Sequence, residues 1–431
     1  MQHINIGLLG FGTVGAGVVE GIQRNGNLIA QRTDIQLHVS KIADLDIAKD
    51  RGVQVEPSVL TTDAESVVND PTIDIIVELI GGTSIARELT LKAFKNGKSV
   101  ITANKALVAE HGDEIYAAAN EHHVDLYFEA SVGGGIPIIR AIREGLVANH
   151  TRSIYGILNG TCNYILTRME HEALPFDQVL EEAQDAGYAE AEPSLDIDGH
   201  DTAHKACILA SMAYGFPVAM SDIYVEGIRG FNPTDISYGK ELGYRIKLLA
   251  IIKSIQDQIE VRVHPALIPL EHTLASVDGV FNAIMVSGDV VGDTLYSGKG
   301  AGRQPTASAV IGDIVDVARN IVAHTPRRIP AFVHYEKQGR VKPIDEVCSR
   351  YYVRLSLLDR PGTLGQVAQI FGQHEIGIAS VIQKETCLDQ HVPVIIVTGP
   401  VSEKNVCSAL AEIRAFDLVD GAPIKIHIEG F

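Results

Sequence analysis

Ile4-Asn5-Ile6-Gly7-Leu8-Leu9-Gly10-Phe11-Gly12-Thr13-Val14-Gly15-Ala16-Gly17-Val18 opens the chain with an apolar alternation, passes through a G-x-G-x-x-G turn and leaves it at helical spacing. Ile4, Ile6 and Leu8 read as a short buried strand, whereas Val14, Val18 and Ile22 recur on one helix face. In such a turn Gly10 makes the tight bend, Gly12 lets the backbone approach a pyrophosphate, and Gly15 allows close helix–strand packing. The helix start, from Phe11 through Thr13 and Val14, offers unpaired N–H groups to an anion. An ordinary glycine-rich turn is the alternative; the placement directly between a strand and a helix favours a dinucleotide site.

Working outward, the second apolar run, 35–42, ends in Ala43-Asp44. An acid there accepts from the ribose 2′-OH and repels a 2′-phosphate, so Asp44 favours NAD, while Lys41, Lys49 and Arg51 leave NADP open. Further runs at 73–80, Ser99–Thr102 and 125–128 alternate with helical patterns at 85–95 and 113–121. Alternation of this kind predicts an α/β fold with a Rossmann-like, doubly wound parallel sheet over residues 1–135. The middle, 136–302, reads as an α+β substrate domain, with helices over 178–186, His200–Tyr214 and 239–254 and strands over 152–158 and 258–263. The helical stretch 307–323 returns to the first domain, so that 303–325 packs back on it. After a linker rich in Pro, Arg and Lys at 326–343, the segment 351–428 gives the order βαββαβ, a ferredoxin-like module. The long polar linker predicts few contacts between this module and the rest.

Three polar clusters interrupt these patterns. Thr102-Ala103-Asn104-Lys105 stands at the carboxyl end of an apolar strand, where ligands bind in open α/β sheets. Lys105 there is either a proton-handling group or a solvated helix-start lysine. Glu129-Ala130-Ser131-Val132-Gly133-Gly134-Gly135-Ile136-Pro137 combines a carboxylate with glycines that can turn carbonyls inward, a hard-oxygen set suited to a cation, or else a tight hinge. The acidic loop from Glu190 through Asp196 and Asp198 enters a helix carrying Asp201 and Lys205, which are i and i+4 and share a face with Ile208 and Met212. That apolar continuation points to a buried functional pair rather than a surface salt bridge.

Composition narrows the partners. The 431 residues are 46% hydrophobic and 21% charged, with a formal net charge of −18. A polyanionic surface repels phosphate backbones and anionic lipid, which argues against nucleic acid and membranes. The five cysteines, none at CxxC spacing, fit reduced thiols in a cytoplasmic protein. The opening residues show no signal-peptide pattern, and no apolar run approaches the ~20 residues that span a bilayer.

Taken in order, Gly10–Gly15, Val77-Glu78-Leu79-Ile80-Gly81-Gly82, Thr102–Lys105, Phe128–Pro137, Leu158-Asn159-Gly160-Thr161-Cys162-Asn163-Tyr164-Ile165, Gly187-Tyr188-Ala189-Glu190, Asp196–Lys205 and Gly298-Lys299-Gly300-Ala301-Gly302 with Pro305-Thr306-Ala307-Ser308 resemble homoserine dehydrogenase over the whole chain. The resemblance implies NAD(P)-dependent interconversion of L-homoserine and L-aspartate 4-semialdehyde in threonine, methionine and isoleucine biosynthesis. Lys205 matches the family's proton donor and Lys105 its second active-site lysine. Glu190 and Asp201 match residues that hold the amino acid, with Asp196 a further substrate-binding candidate. Glu129 matches a cation ligand, and Val132, Gly134 and Ile136 match backbone-carbonyl positions around a monovalent cation, sodium. Phe11, Thr13, Val14, Gly187 and Gly302 fall at cofactor-contacting positions, joined by Thr102 and Lys105. Many members carry an arginine at the end of the second strand that holds the 2′-phosphate; here Ala43-Asp44 stands there. The tail, with Leu358-Asp359-Arg360-Pro361-Gly362-Thr363-Leu364, resembles an ACT domain, which implies feedback by threonine and a homo-oligomer, dimer or tetramer. Two rivals are an ACT-tailed dehydrogenase of hydroxy acids, which would rely on a His/acid pair, and a non-catalytic NAD-binding sensor.

Overall fold

A computed structural model describes residues 1–384 and 387–431. These fall into two compact units: Met1–Gly160 with Ala203–Ser221 and Phe281–Gly339, and Thr161–Thr202 with Asp222–Val280 and Arg340–Phe431.

The first unit is organised by six strands: β1 (Gln2–Leu9), β2 (Ile35–Ala43), β3 (Leu60–Thr61), β4 (Ile75–Glu78), β5 (Ser99–Thr102) and β6 (Leu126–Tyr127). They pair in parallel in the order β3-β2-β1-β4-β5-β6. Helical crossovers cover both faces of such a sheet, so the middles of its central strands are apolar. Ile6, Leu8, Leu9, Ile75, Ile76 and Val77 are accordingly sealed from solvent. The chain reverses direction of travel between β1 and β4, and this opens a crevice at the carboxyl ends of the two strands.

Helix Thr13–Thr33 lies on this sheet, and helix Arg303–Val322 lies against it. Val18, Val19 and Ile22 of the first share a core with Ala307, Val310, Ile314 and Val317 of the second. Their backbones approach closely because a Cβ on Gly17 would stand 2.8 Å from the Arg303 carbonyl oxygen. The apolar stripe of the second helix carries one acid. Asp313 is 1% exposed, accepts from the Glu129 N–H at 2.8 Å, and has the Arg140 guanidinium 3.6 Å away. Burial first, and then the neighbouring Glu129 carboxylate, push its pKa up to about 8. The unit also contains strand Thr151–Ile157, antiparallel to Phe281–Gly288, which in turn pairs with Gly292–Lys299. The residues expected to form one middle domain over 136–302 are therefore shared between both units.

In the second unit the helix expected over 239–254 is replaced by helix Pro233–Glu241 and a long strand, Tyr244–Ile255. That strand pairs antiparallel with Gln258–Pro269 through the turn at Gln256 and Asp257. The run Ile246 to Ile252 is buried on both faces, and such a run shows no alternation to separate strand from helix.

Strands Cys348–Leu358, Ile378–Ile382, His391–Thr398 and Ile424–Ile428 with helices Thr363–Gln373 and Glu403–Arg414 give the order βαββαβ, with the short strand Val401–Ser402 added before the second helix. The spatial order Ile424–Ile428, Cys348–Leu358, His391–Thr398, Ile378–Ile382 is ferredoxin-like and antiparallel. The expected looseness of this segment is corrected by its last strand. Ile424–Ile428 also pairs in parallel with Gln258–Pro269, aligning Ala266 with His427 and Leu267 with Ile428. Beside that seam Arg262 and Glu429, each 2% exposed, form an ion pair at 2.7 Å, and Lys253 reaches Glu429 at 2.6 Å. Burial alone would raise the Glu429 carboxyl; Arg262 and Lys253 outweigh it and hold the pKa at about 2. Arg354 makes a two-pronged contact with the buried Asp235 at 2.7 and 3.0 Å, and Tyr352 donates to the same carboxylate at 2.9 Å. Even the end of the linker is tied down, because Lys342 N–H donates to the Ile259 carbonyl at 2.8 Å. Among the described residues no helix is long and apolar enough to cross a membrane.

Glu429→Ala takes from the buried Arg262 guanidinium its nearer carboxylate, at 2.7 Å, and leaves only Glu260 at 3.5 Å, so it should cost about 3 kcal/mol in denaturant unfolding. The wild-type contribution should fade as pH falls from about 4.5 towards 2, since the folded pKa is depressed. Truncation after Arg340 strips the same partner and uncovers a strand edge, so an insoluble or markedly less stable product is expected. Asp313→Asn has the opposite sign. A carboxyl whose folded pKa is raised loses stability as pH climbs from its ordinary 3.8 to about 8. The variant should therefore melt above wild type at pH 8, with the gap narrowing towards pH 5; an unchanged gap across that range would show that Asp313 is ionised throughout.

Candidate active site

At the crevice, Gly10 has φ +99° and its N–H donates to the Ala43 carbonyl at 2.8 Å, which locks the turn to β2. A Cβ on Gly15 would stand 2.2 Å from the Gly10 oxygen, so only glycine allows this helix to start so close to the strand. The space over Gly12 is open to at least 4 Å. Gly12 caps helix Thr13–Thr33 with no side-chain hydrogen bond, so the first-turn N–H groups at Thr13 and Val14 face no capping side chain. Phe11 is buried, and its N–H donates to Asp44 Oδ2 at 2.6 Å. The residues present thus fit a dinucleotide pyrophosphate at this turn.

The carboxyl ends of β4 and β5 add a polar network. The Thr102 hydroxyl donates to Glu78 Oε2 at 2.6 Å and accepts from the Asn104 N–H at 2.9 Å. Asn104 caps helix Lys105–Glu121 by accepting from Leu107 N–H, and its amide donates to the Gly82 carbonyl at 2.6 Å. Lys105 is the first residue of that helix and half-buried. Glu78 is sealed from solvent, and burial raises its pKa. Its organising role was missed in sequence, although an acid closing an apolar strand at the ligand edge was the available signal.

Lys205 lies on helix His200–Tyr214, 9% exposed, and its ammonium donates to the Leu158 carbonyl at 2.7 Å, just beyond strand Thr151–Ile157. Asp201, in the first turn of the same helix, is 4% exposed. Ile208 is buried and Met212 half-buried.

In the second unit Gly187, with φ +74°, ends helix Phe176–Asp185, and Glu190 is exposed with its carbonyl accepting from Gln184 at 2.9 Å. Asp196 sits in the short helix Ser194–Ile197, where its carbonyl accepts from the Cys162 thiol at 3.2 Å. Asp198 pairs with Arg229 through two contacts of 2.8 Å. That hydrogen-bonded guanidinium lowers the Asp198 pKa and holds the acidic loop in shape. Sequence spacing gave no sign of this pair.

The glycine-rich crossover has positive φ at Gly133 (+73°) and Gly134 (+55°). A Cβ on Gly134 would stand 2.5 Å from the Gly300 oxygen, so the segment is pinned to the loop before Gly302. The Glu129 carboxylate has a structural task as well: its two oxygens accept from the Ile139 and Arg140 N–H groups at 2.9 and 2.8 Å. The Ile136 carbonyl accepts from Ile138 N–H at 2.8 Å. Among the described residues no group of three or more His, Cys, Asp and Glu side chains could hold a metal ion.

Comparison with known proteins agrees with this geometry. The family model for the homoserine dehydrogenase NAD-binding domain matches residues 10–129, and that for homoserine dehydrogenase matches residues 137–315. The homoserine dehydrogenase of Neisseria gonorrhoeae is 46% identical across 100% of this chain and 99% of its own. A crystal structure of a homoserine dehydrogenase from Thiobacillus denitrificans superposes with a TM-score of 0.94 at 46% identity, covering 100% and 99% of the two chains. A hyperthermophilic archaeal homoserine dehydrogenase in complex with NADPH matches 74% of this chain and 98% of its own, with a TM-score of 0.63 at 27% identity. Sequence, sheet order and the polar ends of β1, β4 and β5 thus converge, and the chain belongs to the homoserine dehydrogenase family of NAD(P)-dependent oxidoreductases.

Proposed function

We propose that Lys205 holds the proton exchanged with the substrate oxygen as L-homoserine and L-aspartate 4-semialdehyde are interconverted, a step of threonine, methionine and isoleucine biosynthesis. The observation that carries this reading is a buried ammonium on a helix, held at 2.7 Å by the Leu158 carbonyl. An ammonium kept out of bulk water can donate to a developing alkoxide and stabilise it. The nicotinamide cofactor, when bound, supplies or accepts the hydride at carbon. Gly10, Phe11, Gly12, Thr13, Val14 and Gly15 would hold its pyrophosphate, with Asp44 at the adenosine end. Thr102, Lys105, Gly187 and Gly302 complete the cofactor contacts, and Lys105 serves as the second active-site cation. Glu190 and Asp201 bind the substrate α-ammonium, and Asp196 adds a third carboxylate.

A monovalent cation, sodium, is held by Val132, Gly134 and Ile136 carbonyls with Glu129. A single carboxylate among carbonyls suits a weakly charged ion, which steadies the crossover rather than acting as a Lewis acid. The tail serves as a threonine-responsive ACT domain: Gly362 starts helix Thr363–Gln373 at φ +96°, with no capping side chain, which suits an amino-acid carboxylate. The chain works as a cytoplasmic homo-oligomer. Leu295 and Phe281, exposed on and beside the edge strand Gly292–Lys299, support self-association there.

Lys205→Ala should lower turnover about 10²-fold or more while NADH and NADPH affinities change little. Near-normal turnover in the folded variant would remove Lys205 from proton transfer. Threonine added to the full-length protein should slow homoserine oxidation, by favouring one conformational state over another. A rate indifferent to threonine and related amino acids would leave the tail a purely structural segment.

A further inference from the structure

Beyond the first turn of helix Lys105–Glu121 the first unit holds a cavity of about 460 Å³. It lies where that helix loses its regular geometry, at His111 with φ −125° and ψ 16°, and against helix His200–Tyr214. Lys105 and Lys205 are not among its described lining residues. Its aromatic wall begins at Tyr116, eleven residues after Lys105. That is about 16 Å along a helix, well away from the carboxyl end of β5.

The walls include Val108, Ile208, Val218, Met220 and Phe332, and a phenol stands among them. Tyr116 is 8% exposed, and its ring stacks on Phe332 at 5.2 Å and 12°. Among the described residues its hydroxyl has no hydrogen-bond partner. Burial raises the pKa of six other tyrosines, and each of those hydroxyls has one: Tyr127, Tyr214, Tyr224, Tyr335, Tyr351 and Tyr352. A buried phenol ordinarily finds such a partner. The unmet hydroxyl of Tyr116 therefore points to a ligand with a polar atom in this cavity.

Charge around the mouth decides which ligand. Glu110, Asp113 and Glu114 are all exposed there. Glu114 is committed to Arg87, and Glu110 faces His204 at 3.4 Å. Asp113 is turned to the phenol instead: burial first, then Cys207 and Asp113, raise the Tyr116 pKa. Three carboxylates repel an anion and attract a cation, and the faces of Tyr116 and Phe332 favour a cation as well. Apolar walls with a few placed polar groups, at this volume, have the form of a small-molecule site. We propose that the cavity binds a small organic ammonium with an apolar body. Its N–H donates to the Tyr116 oxygen, Asp113 offsets its charge, and its body lies against Ile208, Val218 and Phe332. A free amino acid, which brings a carboxylate of its own, is disfavoured by the same three acids. The ligand sits between the helices that carry Lys105 and Lys205, since Val108 belongs to one and Ile208 to the other.

The test is calorimetric titration of the full-length protein with phenethylammonium, with 2-phenylethanol and phenylacetate as neutral and anionic probes of the same body. The ammonium should bind with a dissociation constant of about 1 mM or tighter, and the alcohol about tenfold more weakly. Phenylacetate should not bind. Asp113→Asn and Tyr116→Phe should each weaken the ammonium about fivefold or more, the scale of one lost hydrogen bond to a charged group. Saturating NADPH should leave its affinity within about threefold, because the cavity is not the crevice. Without any ligand, Tyr116→Phe should melt at or above wild type, since it removes a buried hydroxyl that makes no bond. Five results would overturn the site: no binding of phenethylammonium, equal binding of the alcohol, displacement by NADPH, an affinity unchanged in both variants, or a Tyr116→Phe protein that melts well below wild type.

Discussion

Parallel strands present their carboxyl ends together, and that constraint arranges the first unit. Because β1 and β4 lead away in opposite directions, no crossover covers the sheet edge between them. Backbone N–H groups of a helix start can therefore meet a ligand there instead of another element. The glycines keep the helix start tight against β1, and the Gly10–Ala43 and Phe11–Asp44 hydrogen bonds tie it to β2. Glu78, Thr102 and Asn104 then extend the polar rim strand by strand. The polar groups at the crevice are thus carried by loops and strand ends whose positions follow from a sheet with an apolar core.

Burial decides which of these polar groups are structural and which are free to act. Glu129 and Asp313 are sealed, yet each is satisfied: Asp313 by the Glu129 N–H, and Glu129 by two N–H groups of the following turn. Together they stitch helix Arg303–Val322 to the glycine-rich crossover, across more than 180 residues of chain. A carboxylate used in this way is poorly placed to bind a divalent ion tightly, because its lone pairs are already shared. Lys205, 9% exposed, is held against a neutral partner, the Leu158 carbonyl, at 2.7 Å.

Legibility in the sequence followed periodicity. The order of β1, β2, β4 and β5 could be read because each strand is short, apolar and bounded by turn residues. Asp201 and Lys205 could be read as buried because Ile208 continues their face. Strand Tyr244–Ile255 could not, since a run buried on both faces carries neither period. Asp313 at helical spacing with Val310, Ile314 and Val317 was a signal that went unused. Partners far apart in sequence, such as Arg303 with Arg51, or Asp198 with Arg229, leave no trace in spacing at all.

The tail shows the same limit with larger consequences. Its βαββαβ pattern is complete and buries its own core, around Val353, Leu355, Phe371, Ile396 and Ile413. Nothing in that pattern reveals that its last strand has a second partner. A strand edge is a row of unpaired N–H and C=O groups, and Gln258–Pro269 uses the edge offered by Ile424–Ile428. The ions beside the seam fix its register. A slip of one residue would turn Glu429 to the opposite face and take from the buried Arg262 the nearer of its two carboxylates, leaving Glu260 at 3.5 Å. A buried ion pair adds little net stability compared with apolar packing, but it discriminates sharply against misalignment. Any displacement of the tail's last strand therefore bears directly on Gln258–Pro269, the strand it pairs with.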